Sequence, residues 1–112
     1  MRQDKVLSLL SLAQRAGKVK SGEFMTEKTV KSRKASLVIV AEDASENTRK
    51  EFTDMCTYYK VPIYLFSNKA QLGHAIGKEF RASLAVADEG FASEMKKQLK
   101  EMGKTEVSVW QK

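Results

Sequence analysis

The sequence predicts an α/β fold, with one mostly parallel or mixed sheet held between helical layers. Three observations predict it. Apolar residues recur at helical spacing in several segments, short β-branched runs lie between them, and the two patterns alternate along the chain. With 112 residues, 42% of them apolar, 30% charged and only one proline, the chain has the size and composition of a single domain with a modest core.

Each element has its own signal. Val6, Leu9, Leu10 and Ala13 stand at i, i+3, i+4 and i+7, and Gly17 follows as a helix stop. Residues 18–20 add a short strand, and 22–34 are expected to be helical. "SLVIVA" (36–41) is a continuous β-branched run, the mark of a strand covered on both faces. Asp43 or Ser45 caps the next helix, whose stripe is Phe52, Met55, Cys56 and Tyr59. "VPIYLF" (61–66) is a strand with Pro62 near its start, where a missing N–H matters least. Asn68 to Gln71 has the form of a capping box before Leu72, Ala75 and Ile76. "ASLAVAD" (82–88) is another strand. Asp88 caps a last helix marked by Phe91, Met95, Leu99 and Met102. One domain is expected over 1–103. Residues 104–112 are read as a tail in which Val107 and Val109 alternate like a strand; Trp110 is given no role.

Composition excludes several classes of function. No run approaches the ~20 apolar residues of a membrane span. Arg2 and Lys5 precede an apolar run, as in a signal peptide. Asp4, Gln14, Arg15 and the missing small-x-small site favour a first helix of the mature chain instead. The single cysteine, Cys56, cannot form an internal disulfide and lies in an apolar stripe, so it reads as a core residue; zinc spacings are absent. His74 has no partner ligands, and Gly73 and Gly77 do not make a dinucleotide fingerprint. A cytoplasmic protein without cofactor or metal is the expectation.

The charge is placed more tellingly than its size suggests. Residues 1–34 carry nine Lys or Arg against three acids, and residues 35–112 carry eleven of each, so the whole net charge of +6 sits in the first third. Such a gradient is the footprint of a polyanion partner, although a solubilising excess is the plainer alternative.

Four segments compete for chemistry. Ser21-Gly22 stands at a helix start, where unpaired N–H groups carry partial positive charge. Capping by Ser21, with Glu23 favourable to the dipole, would explain those residues; it would not explain the crowd of Lys18, Lys20, Lys28, Lys31, Arg33 and Lys34 around them. One of Phe24 and Met25 is expected to pack inward, leaving the other for an unstacked base. "GKEFRAS" (77–83) joins Lys78, Phe80 and Arg81 in a loop that would complete a phosphate and base cradle if it met Gly22; otherwise Phe80 tucks into the core. Glu42-Asp43 closes a strand as a metal or catalytic pair might, but "DASEN" after it reads as a helix cap.

"SGEFMTEKTVKSRKASLVIVAEDAS", "YYKVPIYLF" and "LGHAIGKEFRASLAVAD" together resemble the ribosomal-protein superfamily that binds kink-turn RNA, and within it the small bacterial YlxQ-like branch. The likeness covers about residues 5–101. It implies a three-layer α/β/α sandwich with a mixed four-stranded sheet. It also implies that RNA is gripped jointly by the second helix's N-terminus and the loop before the last strand. The family glycine falls on Gly22, the helix lysine on Lys28, and the loop segment on Lys78, Glu79 and Phe80. The family's Asn-Glu pair, which reads sheared G·A bases, falls on Phe24 and Met25, which cannot make those hydrogen bonds.

The expected function is therefore non-enzymatic binding of structured RNA, ribosomal or otherwise, by a protein that is itself ribosomal or ribosome-associated. The expected site comprises Lys18, Lys20, Ser21, Gly22, Glu23, Phe24, Met25, Lys28, Lys31, Lys78, Glu79, Phe80 and Arg81. One rival is a protein-interaction module on the ribosome or transcription machinery that docks through Phe24-Met25. Another is a phosphate-substrate enzyme using Glu42-Asp43.

Overall fold

The computed structural model describes residues 2–107, with five helices and four strands in strict alternation. In chain order these are α1 (Arg2–Arg15), β1 (Val19–Ser21), α2 (Glu23–Lys31), β2 (Leu37–Val40) and α3 (Glu46–Tyr59). They continue with β3 (Ile63–Leu65), α4 (Lys69–Ala75), β4 (Ser83–Val86) and α5 (Glu89–Glu101). The strands form one mixed sheet in the order β1-β4-β2-β3. β4 runs antiparallel to both neighbours, and only β2 and β3 are parallel. Every residue of β2 and β4 is buried, as strands covered by helices on both faces must be. On the helical side, α1 packs against α4 and α5, and α2 packs against α3. This is the expected α/β/α sandwich.

Most of the expected stripes are the core. Val6, Leu10 and Ala13 of α1, Phe52 and Cys56 of α3, and Met95 and Leu99 of α5 are buried together around the sheet. The caps divide more finely than the sequence could say. Ser45 Oγ accepts from Thr48 N at 3.1 Å and starts α3, whereas Asp43 Oδ1 accepts from Lys69 N at 2.9 Å and supports the start of α4. Asn68 caps α4 through Gln71 N at 2.8 Å; the Gln71 amide oxygen pairs with Ser67 Oγ instead of closing the box. Asp88 Oδ2 accepts from Phe91 N at 2.8 Å.

Two expectations need correction. α2 ends at Lys31 and not at 34: Arg33 turns left-handed at φ 62°, and Arg33 N and Lys34 N close the helix on Val30 O and Thr29 O, both at 3.0 Å. Neither Phe24 nor Met25 packs inward. The buried positions of α2 are Thr26, Thr29 and Val30, at i, i+3 and i+4, and each earlier step turns the side chain about 100° away. The first residues of the tail past Gly103 lie against the body. Lys104 pairs with Glu42, and Val107 packs half-buried on the core without belonging to a strand. Val109 and Trp110 lie outside the described residues.

Candidate nucleic-acid interface

Sheet register brings the two basic segments together. β1 and β4 are antiparallel, with Ser21 opposite Leu84, so the chain leaving β1 for α2 passes the chain entering β4. Gly22 N–H donates to Ser83 O at 3.0 Å, and Thr26 N donates to Gly22 O at 2.9 Å. A buried pair, Ser83 Oγ and Thr26 Oγ1 at 3.3 Å, fastens the first turn of α2 to β4. Arg81 Nε donates to Ser21 Oγ at 3.1 Å and its Nη1 donates to Phe80 O at 2.7 Å. The loop before the last strand and the start of α2 thus form one surface.

Gly22, and not Ser21, is the N-cap. Ser21 belongs to β1 and spends its hydroxyl on Arg81, and no side chain caps α2. Gly22 adopts φ 90°, ψ 160°, a region essentially restricted to glycine, and a Cβ built there would meet nothing within 4 Å. The space beside this backbone is open, and the first amides of α2 lack a side-chain acceptor.

The loop is shaped by a residue that sequence reasoning passed over. A Cβ on Gly73 would fall 2.6 Å from Glu79 O and 2.9 Å from Phe80 N, so the loop lies directly on α4. Lys78 N donates to Gly73 O at 2.8 Å, and Arg81 N donates to Lys69 O at 3.1 Å. With its backbone held inward, the loop turns Lys78, Glu79 and Phe80 outward; Phe80 is 62% exposed and not tucked into the core. The available signal was a glycine inside a helical pattern, where it costs about 1 kcal/mol against alanine and so asks for a packing reason.

Around this junction Lys20, Phe24, Met25 and Lys28 are exposed, Phe24 at 73%; Lys18 is also exposed but lies at the other end of β1, where its carbonyl accepts from Ala87 N at 2.8 Å. Phe24 and Lys28, one turn apart, line a groove of about 410 Å³ with Glu27, Lys31 and Ser32. A second groove, of about 590 Å³, runs past Lys78 and Phe80 to Gln71 and His74. Two members of the expected set behave differently. Lys31 Nζ is bound to Glu27 Oε2 at 2.7 Å, a contact that raises its pKa. Glu23 faces α3: partial desolvation, then the charge of Glu23 and a hydrogen bond with it, push the Glu51 carboxyl above its usual range. The first turns of α2 thus face α3 with carboxylates, Glu23 and Glu27 opposite Glu51, and the cationic approach to the helix start lies over Gly22, Phe24 and Lys28.

The carboxylates at the end of β2 are occupied structurally, Glu42 with Lys104 and Asp43 with the α4 backbone. Among the described residues no cluster of His, Cys, Asp and Glu could hold a metal ion, and no helix is long and apolar enough to cross a membrane.

Comparison with known proteins gives consistent results. The model of the Ribosomal protein L7Ae/L30e/S12e/Gadd45 family matches residues 4–96. "RNA-binding protein YlxQ" of Bacillus subtilis is 51% identical over 87 residues, which span 78% of this chain and 87% of that protein. "Large ribosomal subunit protein eL8" of Thermoplasma volcanium is 31% identical over 96 residues, covering 85% of this chain and 79% of the relative. A solved structure of a protein with unknown function from Bacillus halodurans superposes with a TM-score of 0.83 at 38% identity, covering 86% of this chain and 97% of the other.

Proposed function

The chain belongs to the Ribosomal protein L7Ae/L30e/S12e/Gadd45 family, and on that premise we propose that it is an RNA-binding protein, ribosomal or ribosome-associated, acting by binding and not by catalysis. Residues 1–103 form the RNA-binding domain, and the protein works in the cytoplasm. Relatives named as RNA-binding and ribosomal proteins support this class. The observation that carries the finer reading is the junction itself: a helix start with an open glycine and no side-chain cap, joined to a basic loop by the Arg81–Ser21 hydrogen bond.

The chemistry follows from that junction. Lys20, Lys28 and Arg81 neutralise phosphates there, Lys18 extends the cationic track from the other end of β1, and Gly22 admits the backbone to the first amides of α2. Phe80 and Phe24 offer ring faces to unstacked bases. Because Phe24 and Met25 occupy the positions of a polar base-reading pair, affinity is carried by phosphates and stacking. Discrimination of a kink-turn from other structured RNA is correspondingly weak.

The deciding experiment titrates one kink-turn RNA and its unkinked duplex across a salt series. Both should bind, with a small difference between them and a slope of log K on log salt of about −4 for about four neutralised phosphates. Binding to neither RNA sinks the proposal. A second reading, a protein-docking module, draws on the exposure of Phe24 and Met25. A pull-down whose partners survive ribonuclease would favour it.

A further inference from the structure

The far end of α2 carries a second cluster that the site at its start does not use. The Arg33 guanidinium carbon lies 5.1 Å from the centroid of the Tyr59 ring. Tyr59 meets Tyr58 edge-on, with centroids 4.8 Å apart and planes at 77°, and Tyr58 is 74% exposed. Lys34 and Lys60 are exposed beside them in sequence.

The backbone here is unusual. Arg33 closes α2 and Lys60 closes α3, each left-handed at φ 62°. Glycine is the ordinary occupant of that position, since a Cβ is strained there. Helix closure explains the conformation; it does not explain why both ends carry an exposed cation, or why one lies over a tyrosine ring whose neighbour is open to solvent. A guanidinium plane and an exposed ring side by side are the elements of a platform for an unstacked base.

This platform is continuous with the first site. The groove containing Phe24 and Lys28 runs on to Lys31 and Ser32, the residue before Arg33. Over the nine residues of α2 the two ends are about 13 Å apart. Glu27 and Glu51 border the path and Glu27 already holds Lys31, whereas Arg33, Lys34 and Lys60 enter none of the ion pairs found among the described residues.

We propose that Arg33, Tyr58 and Tyr59 form a second contact that stacks an unpaired base flanking the RNA element held at the start of α2, with Lys34 and Lys60 meeting its phosphates. The inference rests on the RNA-binding reading above. It adds that the recognised RNA is a structured element with a single-stranded flank, read without base identity.

The test compares two RNAs, a kink-turn stem with and without an unpaired oligouridine flank, against wild type, Tyr58→Ala and Arg33→Gly. Arg33→Gly removes the guanidinium while relieving the left-handed strain, and Tyr58 is exposed, so neither change threatens folding. Wild type should prefer the flanked RNA, and each variant should lose about tenfold on it, the size of one lost base stack, with no change on the bare stem. Equal affinity of wild type for both RNAs, or variants indistinguishable from wild type on the flanked RNA, overturns the second contact while leaving the first intact. Failure of wild type to bind either RNA overturns the underlying reading.

Discussion

Arg81 and Ser21, sixty positions apart in the sequence, are joined by a 3.1 Å hydrogen bond from the guanidinium Nε to the hydroxyl. The bond fixes a loop cation against the start of α2 and so separates two roles. Ser21→Ala leaves the charge and removes the anchor; Arg81→Ala removes both. RNA affinity should fall modestly, about two- to fivefold, in the first and about tenfold or more in the second, reflecting a net hydrogen-bond worth near 1 kcal/mol. Equal losses measured by titration would mean that Arg81 acts through its position alone.

Gly73 supports the same loop from beneath. Gly73→Ala puts a methyl group 2.6 Å from a backbone oxygen that cannot swing aside. Urea denaturation should show a loss of about 1–3 kcal/mol. RNA affinity should fall as well, because Lys78, Phe80 and Arg81 move with the displaced backbone.

Phe24 and Met25 are exposed on α2, so Phe24→Asn with Met25→Glu touches no core contact. Installing this polar pair should raise the preference for a kink-turn over its unkinked duplex by about tenfold or more, as one good base contact gives about 1–3 kcal/mol of discrimination. An unchanged ratio in a two-RNA titration would show that base readout is not made at these positions.

Lys28 and Lys31 make unequal predictions despite sharing a groove. Lys28 has no ion pair among those found in the described residues, whereas Lys31 is held by Glu27. Lys28→Ala should weaken all RNAs alike and reduce the salt slope by about 1. Lys31→Ala should change both less, since Glu27 already offsets its charge.

Burial pushes the Cys56 thiol up to about 12 from an ordinary value near 9. A thiol of this kind should resist alkylation at pH 8 in the folded protein and react fully in denaturant, as a mass measurement would show. The sign of the linkage follows: the unfolded chain releases this proton first, so the contribution to stability is complete below pH 9. It falls by about 1.4 kcal/mol per pH unit as pH rises from 9 toward 12.

Much of the fold is legible in the sequence. Val6, Leu10, Ala13, Phe52, Cys56, Met95 and Leu99 announced their helices by spacing, and the apolar runs of β2 and β4 announced a sheet covered on both faces. Caps at Ser45, Asn68 and Asp88 were readable because the acceptor and the amide it serves lie three residues apart. The basic first third pointed to a polyanion partner. All of these are local properties, set by helical and strand periodicity and by the count of charges.

What depended on tertiary structure was which residues meet. Only the antiparallel β1–β4 pairing sets Ser21 beside Arg81 and makes Gly22 the cap, and only the packing of the loop on α4 gives Gly73 its purpose. Spacing named Phe24 or Met25 as an inward residue, but Thr26, Thr29 and Val30 took the buried face, because α2 is oriented by the Thr26–Ser83 contact with β4. Chain-local chemistry fixes which faces must be buried; contacts between segments distant in sequence are fixed only when strand register and helix orientation satisfy every buried polar group at once.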